Sequence, residues 1–296
     1  MKKLGYLSSA SDDQAFKPHK DAFIAGLQQA GYTPGQNVDI AWKFAGGDYP
    51  KLQTLANELV QAQVDVIATV GGAVSAWYAV EATHTIPVTF ISGYDAKKLD
   101  ILKYGNATGV NLATTESEKD RLGHLKQLAG DNRTYAVLLR QGTAVYEQEV
   151  IVAQQAGLVA VSVSGNPSRN EIQGAFNNAQ QQGANGIIVC ADPSFTSQYK
   201  TIVQLEKQFN WPAGYSWRQY PEDGGLMSFG PILSQAFTTV GIYSGRILTS
   251  GDPGGSGTPI VTLDPKKDYV LVVNKARADH FGFSIPASWT GQVVIV

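Results

Sequence analysis

Short apolar runs with strand character alternate along this chain with segments whose apolar residues recur at helical spacing. Val38, Ile40, Trp42 and Phe44 fall on alternate positions, with Asp39 and Lys43 between them, which is the period of a half-buried strand. After Pro50, a residue suited to the first turn of a helix, Leu52, Leu55, Ala56 and Leu59 return to one helical face. The run Val64-Asp65-Val66-Ile67-Ala68-Thr69-Val70 reads as a strand buried on both faces, and Ile86 to Ile91 reads as the next, opened by Pro87. Strands alternating with helices across short turns predict an α/β fold built on a parallel sheet with helices on both faces.

The second half repeats the plan of the first. Gln63 to Val74 aligns with Gly183 to Ser194, and Thr85-Ile86-Pro87 aligns with Asn210-Trp211-Pro212, so the sequence contains a duplicated βαβ lobe. Thr115 and Glu118 have the spacing of a capping box, and Leu122, Leu125 and Leu128 follow on one helical face, marking the start of the second lobe. A later helical pattern carries Phe237, Val240, Gly241, Ser244 and Ile247 on one side and is expected to return to the first lobe. A Gly/Ser/Pro/Asp-rich loop spans 250–257, and a closing strand, Tyr269 to Val273, is capped by Asn274 and followed by a short helix to His280. The expected division is 1–112 plus 230–258 for the first lobe and 113–229 plus 259–296 for the second. Three crossings between the lobes then form a three-segment hinge.

The composition narrows the function. A length of 296 residues suits two medium lobes, each able to bury a core. Charged residues are only 16% of the chain and the net charge is -2, which leaves no broad basic field for nucleic acid or anionic lipid. Cys190 is the single cysteine, so an intramolecular disulfide and a thiolate metal cluster are both excluded, and its apolar run makes it a buried strand residue. No apolar stretch reaches membrane-spanning length. Met1-Lys2-Lys3 leads straight into a strand-like run, so the chain is expected either to be cytoplasmic or to have had an export leader trimmed.

In open parallel sheets ligands sit beyond the carboxyl ends of the strands, where helix N-termini converge. Two facing lobes put two such edges on one cleft. The first-lobe loops there are Ser8-Ser9, Gly71-Gly72-Ala73 and Ser92-Gly93-Tyr94-Asp95. Their small residues and open helix starts suit a carboxylate. The second-lobe loops carry Arg140, Gln141, Tyr146, Asp192, Phe195, Trp217 and Arg218. An arginine fork with aromatic faces suits a small aromatic or amphipathic acid. Each residue also has a plain structural use. Gly71 and Gly72 serve a tight strand-to-helix turn, Arg218 can pair with Glu222 or Asp223, Trp217 and Phe195 can pack, and Asp192 can cap the following helix.

Taken with those loops, the sequence resembles the ABC transporter substrate-binding proteins of the tryptophan/tyrosine-type group, which have the type I periplasmic-binding-protein, or venus-flytrap, fold. The resemblance is carried over nearly the whole chain by Ala25-Gly26-Leu27, Gly35-Gln36-Asn37-Val38, Ala107-Thr108-Gly109-Val110, Ala191-Asp192-Pro193, and the stretch from Trp217-Arg218 through Gly224-Gly225 to Gly230-Pro231. It implies a periplasmic or otherwise extracytoplasmic protein, its leader removed, that captures an aromatic amino acid or related acid by hinge closure, with an ABC permease and ATPase as partners. The chain is further expected to be a monomer that uses no cofactor and no metal and does no chemistry itself. Two segments depart from the family pattern: Gly93-Tyr94-Asp95-Ala96 stands where relatives commonly have Asp-Pro, and Arg140-Gln141 where they often have Asn-Pro.

Two other classes remain. A sensor would present the same closed flytrap to a receptor. An enzyme would need a motif, and G-x-x-x-x-G-K-[ST], G-x-S-x-G and H-E-x-x-H are all missing. His19, His84, His124 and His280 lack ligand spacing, and although a distant carboxylate pair such as Asp95 with Asp192 could work as acid and base, nothing in the spacing demands it.

Overall fold

The computed structural model describes residues 1–14, 16–142, 145–253 and 257–296, and the chain divides into two compact units. The first unit comprises Met1–Ala113 and Leu233–Leu263; the second comprises Thr114–Ile232 and Asp264–Val296. The opening segment runs β1 (Lys2–Ser8), α1 (Lys17–Gln29), β2 (Val38–Phe44), α2 (Lys51–Gln61), β3 (Val66–Thr69), α3 (Ala73–Ala82), β4 (Val88–Ser92) and β5 (Ala107–Asn111). Next come α4 (Glu118–Ala129), β6 (Tyr135–Arg140), α5 (Tyr146–Gln155), β7 (Val159–Val163), α6 (Arg169–Gln181) and β8 (Gly186–Val189). The second unit continues with α7 (Pro193–Ser197), α8 (Tyr199–Phe209), β9 (Ala213–Tyr215), α9 (Gln219–Glu222) and β10 (Met227–Pro231). Then α10 (Leu233–Ser250) and β11 (Val261–Thr262) belong to the first unit, and α11 (Pro265–Asp268), β12 (Tyr269–Val273), α12 (Lys275–Phe281) and β13 (Val293–Ile295) to the second.

The sheet of the first unit has the order β11-β5-β4-β3-β1-β2, with every pair parallel. The second sheet has the order β13-β12-β10-β9-β8-β6-β7. Its strands β6 to β10 pair in parallel, whereas β12 runs antiparallel to β10 and carries β13 alongside. Without the late additions, each unit's five strands are ordered second, first, third, fourth, fifth. The sequence repeat is thus a repeat of topology.

The late segments explain where the observed division departs from the expected one. Residues 259–263, expected in the second lobe, lie with the first unit because β11 pairs with β5, Val261 against Val110. Residues 230–232 lie with the second unit because β10 runs on to Pro231, opposite Tyr269. The expected capping box of Thr115 and Glu118 does not form: α4 begins at Glu118 itself, two residues later than that motif requires, and no side chain caps it. A capping box does open α6, where the Ser168 N–H donates to Glu171 Oε2 at 2.8 Å and the Glu171 N–H to Ser168 Oγ at 3.4 Å. In the loop 250–257, residues 254–256 lie outside the described residues.

Two packing arrangements hold the units. In the first, α1 and α10 cross backbone to backbone. A Cβ added at Gly26 would stand 2.1 Å from the Thr238 carbonyl oxygen, and one at Gly241 would stand 2.2 Å from that of Phe23. In the second, Glu206 of α8 is fully buried, accepts from Arg277 Nε at 2.9 Å and from the Tyr215 hydroxyl at 2.6 Å, and so ties α8, β9 and α12 together. Burial pushes its carboxyl up to about 7 against the pull of both donors.

Gly241→Ala is expected to destabilise the protein by about 2 kcal/mol in urea denaturation, although alanine is the better helix former. Wild-type stability would mean that α1 and α10 do not meet this closely. Arg277→Met is expected to cost about 3 kcal/mol by leaving Glu206 buried without its cation, and an unchanged midpoint would show that the pair does not hold α12.

Candidate functional site

The carboxyl edge of the first sheet is built from the ends of β1, β3 and β4. Ser8 ends β1, and its carbonyl accepts from Ala45 N–H at 2.9 Å while the Ser9 carbonyl accepts from Gly47 N–H at 2.7 Å, so the loop after β2 folds over the loop after β1. Ser9 Oγ donates to the Gly71 carbonyl at 2.6 Å. A Cβ on Gly71 would lie 2.1 Å from the Ser9 nitrogen, so the close approach of the two loops requires glycine there. Gly72 precedes α3 at φ 78°, ψ −177°, a conformation for glycine alone, and points the first turn of the helix at this edge. No side chain caps α3, whose first residue is Ala73. Its third residue, Ser75, is fully buried, and its hydroxyl finds no hydrogen-bond partner among the described residues. An uncapped helix start with a buried hydroxyl beside it can accept an anion.

The loop after β4 is turned in on itself. Ser92 Oγ donates to the Tyr94 carbonyl at 2.5 Å, and the Lys97 N–H donates to Asp95 Oδ1 at 3.0 Å. Gly93 is half-buried and Tyr94 buried, with Lys98 Nζ 5.2 Å from its ring centre.

In the second unit, Arg140 ends β6, is buried, and donates through Nη1 to the Gln141 carbonyl. Gln141 is exposed and donates to Ser162 Oγ at 2.8 Å, a hydroxyl the Tyr146 phenol also reaches at 3.4 Å. Asp192 caps α7, accepting from Ser194 N–H at 2.8 Å and Ser194 Oγ at 2.5 Å. Phe195 is wholly buried, and its carbonyl accepts from the Tyr220 hydroxyl at 2.9 Å. Trp217 is buried. Arg218 is exposed and bound to Glu222, Nε to Oε1 at 2.7 Å, which is the surface pairing weighed against ligand contact.

Sequence reasoning missed a set of buried polar residues at this edge. Glu118 opens α4, Arg121 lies one turn on, Glu149 is in the first turns of α5, and Ser216 follows β9. All are buried, and Glu118 Oε2, Arg121 Nη1 and Ser216 Oγ have no hydrogen-bond partner among the described residues. Arg121 gives Nε to the Phe229 carbonyl at 3.2 Å and Nη2 to the Thr114 carbonyl at 3.4 Å. Burial pushes the Glu118 carboxyl up to about 7, opposed by Arg121. Burial and then the charges of Glu118 and Asp192 raise Glu149 well above the ordinary range. A signal existed: Arg121 sits four residues before Leu125 and so shares the buried face of α4.

Elsewhere on the second unit an open groove of about 1060 Å³ is walled by His124, Phe229, Tyr269 and Trp289, and no sequence-predicted site residue lines it. The histidines pack or bond locally: His19 stacks on Phe237 at 4.9 Å, His84 on Tyr104 at 3.7 Å, His124 lies 4.5 Å from Phe229, and His280 bonds Asn210 at 2.9 Å. Among the described residues no helix is long and apolar enough to cross a membrane.

A family model described as ABC transporter substrate binding protein matches residues 10–290. A curated relative, the tyrosine-binding protein of Clostridioides difficile (strain R20291), is 28% identical over 114 residues, covering 38% of this chain. The match takes in 32% of that protein, so the chain spans about a third of the length of the curated relative it matches. Among solved structures, a conserved domain protein from Vibrio cholerae is similar at 20% identity and a TM-score of 0.83 over 99% of each chain. A Streptococcus pneumonia ABC domain in complex with L-Trp is similar at 22% identity and a TM-score of 0.81, over 99% of this chain and 100% of its own. At these identities the likeness is one of fold.

Asp192→Ala is expected to cost about 1 kcal/mol in thermal or urea unfolding through loss of the α7 cap. No loss would mean that the observed Asp192–Ser194 contacts do not hold the loop after β8.

Proposed function

Since the chain belongs to the family of ABC transporter substrate-binding proteins, we propose that it is the extracytoplasmic solute-binding component of an ABC importer, taking up a small carboxylate-bearing aromatic molecule. The ligand class proposed is an aromatic amino acid or a related acid. The family is one of binding proteins, and its members work with a transporter's membrane permease and ATPase.

The observation that carries this reading is the start of α3. Gly72 turns the first turn of that helix toward the carboxyl edge, no side chain caps it, and the buried Ser75 hydroxyl beside it has no hydrogen-bond partner among the described residues. A carboxylate satisfies those donors and meets the positive end of the helix dipole. Arg140, Tyr146, Trp217 and Tyr94 are proposed to furnish the rest of the shell as the lobes close on the solute about their three connections. The names of two similar proteins support the ligand class: one binds tyrosine, and the other is held in complex with L-Trp.

A thermal-shift screen against amino acids, aromatic acids, nucleosides and sugars is the direct test, because a ligand at a hundred times its dissociation constant adds about 2.7 kcal/mol of stability. Aromatic amino acids or acids are expected to raise the melting temperature, and to be recovered unchanged after long incubation. Ser75→Ala and Arg140→Ala are each expected to weaken binding about tenfold, near 1.4 kcal/mol, with the fold retained. A shift with sugars alone, or conversion of the ligand to product, would overturn the reading.

A further inference from the structure

Three carboxyl groups and one guanidinium are buried together at the carboxyl edge of the second unit. Glu118 and Arg121 come from α4, Glu149 from α5, and Asp192 from the cap of α7. Exposure is 1% for Glu118, 0% for Arg121, 4% for Glu149 and 7% for Asp192. Fully ionised, three negative charges against one positive would leave a surplus of two in a place nearly without water, which is too costly to sustain. Protons make up the balance. Glu149 is raised well above its ordinary range and Glu118 to about 7, burial being the first cause in both. Cys190, at the end of β8, is likewise pushed up and remains a thiol. The other groups facing this set are Asp120 on the same helix, Tyr269 of β12 and Tyr220 of α9, and burial raises both phenols.

The set is not closed as a structural network would be. Arg121 spends two nitrogens on backbone carbonyls, and its Nη1, together with Glu118 Oε2 and Ser216 Oγ, stays without a partner among the described residues. Glu206, in the same unit, is the contrast, because both its oxygens are bonded. A charge that a proton can neutralise can be neutralised equally by a ligand's cation.

We propose that an ammonium-bearing solute displaces a proton held within the buried Glu118 and Glu149 pair, so that capture releases a proton to solvent and weakens as the medium acidifies. The protonated carboxyl becomes a carboxylate paired with the ammonium group, and the carboxyl proton leaves as hydronium. This inference rests on the solute-binding reading above. It makes the second unit select for an amine, whereas a plain carboxylic acid gains nothing from the exchange.

Calorimetric titration of the full chain with L-tryptophan and L-tyrosine, in two buffers of different ionisation heat, counts the protons released. About one proton per ligand is expected near neutral pH, with affinity falling about tenfold per unit of acidification below it. Indole-3-propionate is expected to bind more weakly and to release none. Glu149→Gln combined with Glu118→Gln should abolish the release and flatten the pH profile, an effect a merely structural role would not produce. Infrared difference spectra supply a check that needs no ligand: the protonated-carboxyl band of wild type in mildly acid solution should lose intensity in Glu149→Gln. Binding without proton release, or a band indifferent to Glu149→Gln, would overturn this inference and leave the solute-binding reading in place. Absence of binding by any amino or aromatic acid would instead overturn the solute-binding reading, with the band still reporting on the Glu149 proton.

Discussion

Parallel pairing of strands is the constraint from which the rest of each unit follows. A strand that runs parallel to its neighbour must be joined to it by a crossover, and the helix in that crossover travels back against the strands. Every such helix therefore begins at the carboxyl edge of its sheet. The five-strand order common to the two sheets repeats this geometry twice, so each unit gathers helix starts, tight turns and backbone N–H groups on one rim. The backbone crossing of α1 with α10 holds the first unit, and the ion pair of Glu206 with Arg277 ties α8 to α12 in the second.

The two rims meet the problem of unsatisfied polar groups with different chemistry. In the first unit the open groups are neutral donors, the uncapped start of α3 and the hydroxyl of Ser75. In the second, among the described residues, they include charged groups, Glu118 Oε2 and Arg121 Nη1, together with the Ser216 hydroxyl. Burial sets the protonation of Glu118 and Glu206 alike, each to about 7, yet the two differ in use. Glu206 has both oxygens occupied and acts as a tie between elements. Glu118 has one oxygen without a hydrogen-bond partner among the described residues, at the edge where ligands of such folds are held.

Much of the architecture was legible in the sequence because the signals were local. Periodicity located β2, α2, β3 and α10, and the alignment of Gln63–Val74 with Gly183–Ser194 exposed the duplication. Likeness of chain order and of turns is short-range information, and it carried the family as well. Side-chain partnerships were less legible because they depend on tertiary packing. Arg218 was read both as a ligand fork and as a surface pair, and only its neighbour Glu222, one helical turn away, shows where it goes. The Thr115–Glu118 spacing suggested a cap, but α4 starts later than that motif allows, and Glu118 turns out to be buried beside Arg121. Charged residues on a helix read as solvated by default; the leucines that share Arg121's face argued otherwise.

Amide hydrogen exchange, residue by residue, with and without L-tryptophan, tests most directly the claim that the carboxyl edges of the two sheets hold the solute. The account predicts slowed exchange at Gly72, Ala73 and Val74 in the first unit and around the starts of α4, α5 and α7 in the second. Protection confined instead to the groove walled by His124, Phe229 and Trp289, with both edges unchanged at saturating ligand, would contradict it.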